Sequence, residues 1–258
     1  MKSLSEINFN NIKTVGIRVD FNIPVDENFK ITDNTRILRA RDTIAFVKDQ
    51  NCKILLLSHF GRPKKTFDKK FSFQTLINQF SEVLDVKLNL LTYESFLKNA
   101  LSDFKNSNHQ ITLLENIRFF KGEIDNELTF SKLITDQLDL FINEAFSASH
   151  RSHSSVYRMP KNITSVPGFN FEKEVLAIKE IKNSSKKKLA IIGGSKVSTK
   201  INTLLSLTKS CANIFIGGAM ANNFLKFKGV PVGSSLLEEG SEKMIKQIYA
   251  SALEKECE

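Results

Sequence analysis

Cysteine is scarce in this sequence, which has only Cys52, Cys211 and Cys257 among 258 residues. The number is odd, no CxxC pair is present and no histidine cluster lies beside any of the three. A disulfide framework or a cysteine-bound metal is therefore not indicated. We expect free thiols in a reducing cytoplasm.

Long apolar runs are also missing, and none approaches the roughly 20 residues that a membrane-spanning helix needs. Lys2, Glu6 and Lys13 precede the first apolar run, which is not the pattern of a signal peptide. Internal repeats and low-complexity segments are not seen either. We expect a soluble, cytoplasmic protein with no membrane partner.

Acidic residues are outnumbered, with 28 Asp and Glu against 37 Lys and Arg and a formal net charge of +9. Such an excess suits anionic partners, which include phosphorylated metabolites, nucleotides and nucleic acid. Nucleic acid is the least favoured of these partners, because the chain has no RNP aromatics, zinc finger or basic helix. Much of the lysine is expected to be solvated surface. The 41% hydrophobic content is enough for one large domain or two modest ones.

Short apolar runs alternate with helical patterns along the first part of the chain. The predicted strands there occupy residues 15–19, 53–58, 86–91, 111–114 and 140–143. This alternation is typical of an α/β fold with a mostly parallel sheet covered by helices. It breaks around Pro160–Gly168, and Pro167-Gly168 marks a turn.

A change of pattern after residue 170 predicts two domains. The segment FEKEVLAIKEIKNSS has a helical period, and a polar break at Asn183–Lys188 follows it. We therefore expect a first domain at 1–170, a connector helix at 171–185 and a second domain at 186–258. The alternative, one continuous sheet, is disfavoured by the polar break. The second domain has strands predicted at 189–192 and 213–216, and a final helix is predicted within 236–258.

Polar and basic side chains follow four strands of the first domain at the point where each strand ends. They are Asp20 and Asn22, His59 and Arg62, Arg118, and the group His150, Arg151 and His153. Because the carboxyl ends of neighbouring parallel strands share one edge, we expect these groups along one rim, where open α/β sheets bind ligands. Guanidinium groups suit a phosphate or a carboxylate. On spacing alone an alternative is equally open, in which Asp20 and Asn22 only close a turn.

Glycine pairs end the two strands of the second domain. The pairs and the lysines beside them are Gly193-Gly194, Lys196, Lys200 and Gly217-Gly218. Glycines between a strand and a helix let backbone N–H groups approach an anion, so this pattern favours a nucleotide phosphate site. Neither pair belongs to a Walker A loop or a GxGxxG motif.

Several of these segments together resemble one family. In chain order they are RVDFNIP, ITDNTRI, SHFGRP, LLENIRF, NEAFSASHRSHSS, GFNFEKE, IIGGSKVSTK and IGGAMANNFLK, and this order is similar to that in phosphoglycerate kinase. The resemblance covers nearly the whole chain. It implies two Rossmann-like domains, the first binding 3-phosphoglycerate or 1,3-bisphosphoglycerate. The second would bind ADP or ATP with Mg²⁺ held through the nucleotide, in a protein that is a monomer in the family.

The resemblance also implies roles for individual residues. Asp20, Phe21 and Asn22 would lie at the glycerate hydroxyl, and the catalytic pair would be Arg36 and Lys200. The non-transferred phosphate would be held by His59, Arg62, Arg118 and Arg151. The nucleotide would be held by Lys196, Lys200, Gly193, Gly194, Gly217 and Gly218, and no side chain is expected to bind the metal directly.

The chain departs from the family pattern at a few positions and in its length. Glu144 stands where the family usually has Asp, and Ser147 and Ala219 stand where it has Gly. The family's later motifs are not in the sequence, so we expect an incomplete second domain and a very poor kinase when the chain is alone. An alternative is a non-catalytic module that binds phosphoglycerate.

Overall fold

The computed structural model describes residues 2–64 and 66–258. The chain forms two compact units, Met1–Ile178 and Lys179–Glu258. The boundary between them lies inside the helix predicted as the connector. The finer division at residues 170 and 185 stays a prediction.

The first unit is built on a six-stranded sheet in which every pair of neighbouring strands is parallel. Its strands are β1 Thr14–Arg18, β2 Lys53–Leu57, β3 Leu88–Leu91, β4 Ile111–Leu114, β5 Leu140–Asn143 and β6 Ser165–Pro167. The order across the sheet is β3-β4-β2-β1-β5-β6. Helices lie between most of the strands, and the predicted α/β fold is confirmed.

The alternation of strands and helices continues through Pro160–Gly168, because the short strand β6, which was not predicted from the sequence, lies there. Val166 of β6 is buried and pairs with Ile142 of β5, and Gly168 N donates to Asn143 O at 2.9 Å. The strand is three residues long and forms the edge of the sheet, where Pro167, which has no N–H, is tolerated. A run this short and closed by proline has no clear period in the sequence.

The helices of the first unit are short apart from the last. They are α1 Thr35–Arg39, α2 Arg41–Asp49, α3 Ile77–Leu84, α4 Tyr93–Asn99, α5 Ser102–Asn106, α6 Lys121–Ile124, α7 Leu128–Thr135, α8 Met159–Asn162 and α9 Phe169–Asn183, the last of which continues into the second unit. The 3₁₀ turns are Leu4–Glu6, Lys69–Phe71, Phe73–Thr75, Ile117–Phe119 and Phe146–Ala148, and a π-helical turn spans Ser154–Arg158.

Both faces of the large sheet are covered by apolar side chains. Ile54 and Leu56 of β2 join one core cluster, whereas Leu55 and Leu57 join the other. Successive side chains of a strand point to opposite faces, so two clusters arise from one continuous apolar run. A parallel sheet buried on both sides is the usual result of helical crossovers.

The second unit has two parallel strands, β7 Leu189–Gly193 and β8 Asn213–Gly217, and the helices α10 Ile201–Leu207, α11 Ala219–Phe227 and α12 Glu242–Glu254. One face of the sheet packs on a cluster that includes Leu204, Met220 and Ile245. On the other face Ile191 and Phe215 are 71% and 62% exposed. Among residues 2–64 and 66–258, no helix is both long and apolar enough to cross a membrane.

Candidate functional site

The carboxyl ends of β4, β2, β1 and β5 are neighbours in the sheet of the first unit. The four polar strand ends found in the sequence therefore lie along one edge, which we call the basic edge. It comprises Asp20, Asn22, Arg36, His59, Arg62, Arg118, His150, Arg151 and His153, with Arg36 contributed by α1. This edge is the place where parallel α/β sheets bind ligands.

Asp20 joins the end of β1 to two other segments. Its Oδ2 atom accepts from Arg36 Nη1 at 2.6 Å and from Ser147 Oγ at 2.5 Å. Its Oδ1 atom accepts from the backbone N–H of Asn22 at 3.2 Å, while Asn22 Oδ1 accepts from Gly61 N at 2.8 Å. Asp20 thus closes a local turn and also orients the Arg36 guanidinium.

Phe21 lies between these two polar residues but faces the core. Its ring is fully buried, with its centroid 5.1 Å from that of Phe80, and its N–H donates to Ser58 Oγ at 2.8 Å. The Phe21 side chain therefore faces away from the basic edge, and its role at the glycerate hydroxyl stays a prediction. The side chain of a residue between two edge residues points the opposite way along a strand-like segment.

His59 at the end of β2 is an uncharged donor or acceptor and not a cation. The imidazole is 7% exposed and its Nδ1 atom lies 3.1 Å from Nη2 of Arg18. Burial lowers the pKa of His59 to about 2, and the positive charges of Arg18, Arg118 and Arg151, with His153, add to this effect. His59 is therefore neutral at physiological pH.

Gly61 and Arg118 form a second fixed part of the basic edge. Arg118 is 8% exposed and its Nη1 atom donates to Gly61 O at 2.6 Å. Gly61 has φ of +61°, and a Cβ atom there would overlap the ring of Phe71, so only glycine fits. Burial, followed by the charges of Arg151, Arg18 and Arg62, lowers the pKa of Arg118 to about 10.

The side chains of Arg62 and Arg151 make no hydrogen bond or ion pair with the described part of the chain. Arg62 is exposed and Arg151 is partly exposed. Burial and then the charges of Arg118, Arg151 and Arg18 lower the pKa of His153 to about 4. Crowded cations raise one another's free energy, and an anion bound among them would relieve this repulsion.

Three buried residues under the basic edge escaped the sequence analysis. Arg18, Glu123 and Ser155 are 2%, 0% and 0% exposed. Arg18 carried a signal, because a charged residue inside an otherwise apolar strand is rarely buried without a partner. Ser155 ends the segment NEAFSASHRSHSS and Arg18 begins RVDFNIP, but no role was predicted for either, and nothing in the sequence pairs them with each other or with Glu123.

A small cavity of about 110 Å³ lies beside the Asp20–Arg36 pair. Glu144 and Ser147, two of the departures from the family pattern, line it. The carboxylate of Glu144 accepts from Asn170 N at 3.0 Å in the first turn of α9. Burial raises the pKa of Glu144 to about 7, although its backbone hydrogen bonds act in the opposite direction.

The glycine pairs of the second unit lie at the ends of its two parallel strands. Gly218 has φ of +69°, and a Cβ atom there would lie 2.9 Å from Gly194 O, which also accepts from Met220 N at 2.8 Å. The space around Gly193 and Gly194 is open to 4 Å, and Gly217 meets only Phe215 at 3.7 Å. A side chain at Gly193, Gly194 or Gly217 would therefore meet little resistance, whereas Gly218 lies directly against the backbone of Gly194.

Lys196 and Lys200 are exposed on the loop that follows β7. This loop is fastened by Glu238, whose carboxylate accepts from Val197 N at 2.5 Å, from Ser198 N at 3.1 Å and from the Ser198 hydroxyl. Glu238 is a further residue that the sequence analysis missed. Ala219, the remaining departure, is the first residue of α11.

No group of three or more His, Cys, Asp or Glu side chains suited to a metal ion is found within residues 2–64 and 66–258. The cations along the basic edge instead match the charge of phosphate and carboxylate groups. Fold and site together define a two-unit α/β protein with a cationic edge on a parallel sheet.

Comparison with known proteins gives this class a family. A sequence model described as "Phosphoglycerate kinase" matches residues 4–258. A phosphoglycerate kinase of Prochlorococcus marinus (strain MIT 9312) is 40% identical over 99% of this chain, and one of Wolbachia sp. subsp. Drosophila simulans (strain wRi) is 37% identical over 95%. The chain belongs to the phosphoglycerate kinase family.

A solved structure of phosphoglycerate kinase from Coxiella burnetii matches 99% of this chain with a TM-score of 0.84 and 34% sequence identity. This chain covers 64% of that structure, and it spans 65% and 61% of the length of the two relatives above.

Proposed function

We propose that this chain takes part in glycolytic phosphoryl transfer between 1,3-bisphosphoglycerate and ADP, which gives 3-phosphoglycerate and ATP. The observation that carries the proposal is the basic edge, where Arg62, Arg118 and Arg151 lie with neutral His59 at the ends of neighbouring strands. The family to which the chain belongs supports the same reaction.

In this proposal the non-transferred phosphate of the substrate binds among Arg62, Arg118, Arg151 and His59. Arg118 is preorganised by its hydrogen bond to Gly61 O, whereas Arg62 and Arg151 keep donors available. The glycerate hydroxyl group would lie near Asp20 and Asn22. A guanidinium fork grips phosphate with two parallel hydrogen bonds, so several forks fix its position as well as its charge.

The transfer step needs no general base in this proposal. The terminal phosphate oxygen of ADP is already ionised and attacks the phosphorus of the acyl phosphate, while the bond from that phosphorus to the carboxyl oxygen breaks. The carboxylate of 3-phosphoglycerate, with a pKa of about 4, leaves without needing a proton. Catalysis is then positioning and charge stabilisation. Arg36, which Asp20 and Ser147 help to orient, would contact the reacting carboxyl group. Lys200 would stabilise the phosphoryl group in transit.

The nucleotide would bind at the strand ends of the second unit. Lys196 and Lys200 are exposed cations on a loop that Glu238 fastens. Gly193, Gly194 and Gly217 leave space beside the backbone, whereas Gly218 packs closely on Gly194. Mg²⁺ would arrive with ADP or ATP and neutralise phosphate charge. The setting we propose is the cytoplasm, for a monomer with no nucleic-acid or membrane partner.

Calorimetry with 3-phosphoglycerate tests the first half of the proposal. The full chain is expected to bind this ligand, and Arg62→Ala is expected to weaken binding by about 1.5–3 kcal/mol, the range for hydrogen bonds to charged groups. Lys132→Ala is the matched control, since it removes one exposed positive charge on α7. Equal affinity of the two variants would remove Arg62 from the site.

A coupled assay with 1,3-bisphosphoglycerate and ADP tests the second half. It is run on the chain alone and with the remaining part of a related kinase added as a separate polypeptide. In whichever sample turns over, Lys200→Ala is expected to lower the rate by at least about tenfold, the loss of roughly one strong interaction with the transition state. Lys209→Ala, also in the second unit, should leave it unchanged. Turnover that survives Lys200→Ala would contradict the proposed role.

A further inference from the structure

A buried polar chain lies directly under the basic edge. Ser155 donates to Glu123 twice, from its hydroxyl to Oε1 at 2.6 Å and from its backbone N–H to Oε2 at 2.8 Å. The same hydroxyl oxygen accepts from Nε of Arg18 at 2.9 Å. Glu123 therefore reaches the Arg18 guanidinium through Ser155.

The Nη2 atom of the Arg18 guanidinium determines the tautomer and the charge of His59. Nη2 of Arg18 lies 3.1 Å from Nδ1 of His59, and Nη1 donates to the carbonyl of Val19. A guanidinium only donates hydrogen bonds, so Nδ1 must be the acceptor. The imidazole is then neutral and carries its proton on Nε2, which leaves Nε2–H as the one donor of the ring.

We propose that Ser155, held by Glu123, is a positioning residue for the anion site, because it fixes Arg18 so that His59 presents Nε2–H as a hydrogen-bond donor. This inference rests on the proposed function, which makes the basic edge a phosphate site. Neither Ser155 nor Glu123 contacts the ligand in this scheme, since both are fully buried.

The position of the network supports a role beyond filling the core. Glu123 Oε1 also lies 3.8 Å from Nδ1 of His153, so the network borders both imidazoles of the edge. Ser155 is in the π-helical turn Ser154–Arg158, directly after the loop that carries Arg151 and His153. One hydroxyl group thus connects the loop after β5 with the ends of β1 and β2.

The wild-type chain gives a direct test without any substitution. Nitrogen NMR of the imidazole rings distinguishes the two neutral tautomers and the charged form. His59 is expected to be the Nε2–H tautomer and to stay neutral down to about pH 5, well below the ordinary histidine pKa of about 6.5. A His59 signal from the Nδ1–H tautomer, or a titration near pH 6.5, would overturn the inference.

Ser155→Ala tests the role in binding, with Ser131→Ala as the matched control. Ser131 is equally buried, and its hydroxyl accepts from Asn162 Nδ2 at 2.8 Å. At pH 7.5, Ser155→Ala is expected to bind 3-phosphoglycerate about tenfold more weakly than the wild type, as befits a lost charge-assisted hydrogen bond. Ser131→Ala should bind like the wild type.

The pH dependence of 3-phosphoglycerate binding distinguishes a positioning role of Ser155 from a general loss of packing. Arg18, Arg118, Arg151 and His153 surround His59 in the wild type. When Arg18 is released, His59 can take up a proton at a higher pH than before and then attracts the phosphate as a cation. The affinity of Ser155→Ala for 3-phosphoglycerate, relative to that of the wild type, should therefore rise as the pH falls from about 7.5 to about 5.5. A constant ratio with an unchanged His59 tautomer would contradict the inference.

Failure of the variant to fold and failure of the wild type to bind the ligand can each be distinguished from failure of the inference. If Ser155→Ala does not fold, Glu123→Gln removes the charge but keeps a carbonyl acceptor for Ser155, and the same two changes are expected. If the wild type does not bind 3-phosphoglycerate at all, the proposed function fails, whereas the tautomer of His59 still decides whether the network positions the ring.

Discussion

Strands β2 and β7 have similar sequences and opposite surroundings. KILLL in the first unit is almost fully buried, whereas LAIIG in the second unit exposes Leu189 and Ile191 at 63% and 71%. Both runs are apolar enough to predict a strand buried on two faces. The difference lies in the neighbours, since β2 is central in six strands covered on both sides and β7 has one partner and one covered face.

The two candidate sites differ in the same way. In the first unit Arg118 and Arg18 are held by hydrogen bonds in a buried setting. In the second unit Lys196 and Lys200 are exposed, and Glu238 fastens only the backbone of their loop. Side chains held in place lose less entropy when a ligand binds, so preorganisation is greater in the first unit.

The largest contrast is expected from removing one phenyl ring in each unit. Phe80 is fully buried against Phe21 and Phe73, so Phe80→Ala should destabilise the first unit by about 3–5 kcal/mol. Phe215→Ala, at a ring that is 62% exposed, should cost less than about 0.5 kcal/mol. Amide hydrogen exchange read separately on peptides of each unit gives both values. Equal losses would break the contrast between the sheets.

The second largest effect is expected from Glu144, whose contribution to the free energy of unfolding depends on pH. Its folded-state pKa of about 7 lies above the ordinary 4.5, so the folded chain keeps a proton that the unfolded chain has released. Stability therefore falls as the pH rises from about 4.5 to about 7, and the loss is complete above this window. Relative to Glu144→Gln, the wild type should lose about 3 kcal/mol across it.

Urea unfolding of both proteins at several pH values measures this difference. Glu82→Gln, at an exposed carboxylate on α3, is the control, and its free energy of unfolding should change with pH in the same way as that of the wild type. A wild-type curve parallel to that of Glu144→Gln would mean that Glu144 titrates normally.

Gly218→Ala is expected to have a smaller effect, confined to the second unit. The residue has φ of +69° and ψ of −168°, which is nearly restricted to glycine, and an added methyl group would press on Gly194 O. We expect a loss of about 1–3 kcal/mol. Gly233→Ala, with φ of +56° and open space around it, isolates the backbone cost. Thermal unfolding should rank Gly218→Ala as the less stable variant, and the reverse order would exclude the steric account.

The smallest effect on stability is expected from a charge on the open face of β7. Ile191→Lys should change the free energy of unfolding by no more than about 0.5 kcal/mol, because the side chain is already 71% exposed. It should nevertheless reduce non-specific aggregation at high protein concentration, measured by light scattering, since it interrupts an apolar surface. Leu253→Lys, on α12 at 85% exposure, is the charge-matched control. Equal reduction by both variants would assign the effect to net charge.

The sequence was most informative where long apolar runs end in polar groups. The five predicted strands of the first unit follow from these runs. Parallel pairing then brings Asp20, His59, Arg118 and Arg151 to one edge of the sheet. The edge strand β6 was missed because three residues closed by Pro167 show no period. The pairing of Arg18 with Glu123 and Ser155 could not be predicted, since buried polar partners are defined by distances in space and not by spacing along the chain.

The burial of Arg18 has a consequence for how the strands find their alignment. In a sheet covered on both faces by aliphatic side chains, a slip of one residue exchanges two apolar faces, so packing and polar contacts must specify the register. Packing contributes at Gly16, where an added Cβ atom would lie 2.6 Å from Leu138. At the end of β1, Arg18 has polar partners in Ser155 and His59 that a slipped strand would leave unpaired. At its start, Asp139 accepts from Thr14 N at 2.9 Å. The polar contacts at both ends of β1 therefore reinforce the alignment that core packing favours, since any slip would leave these groups without partners.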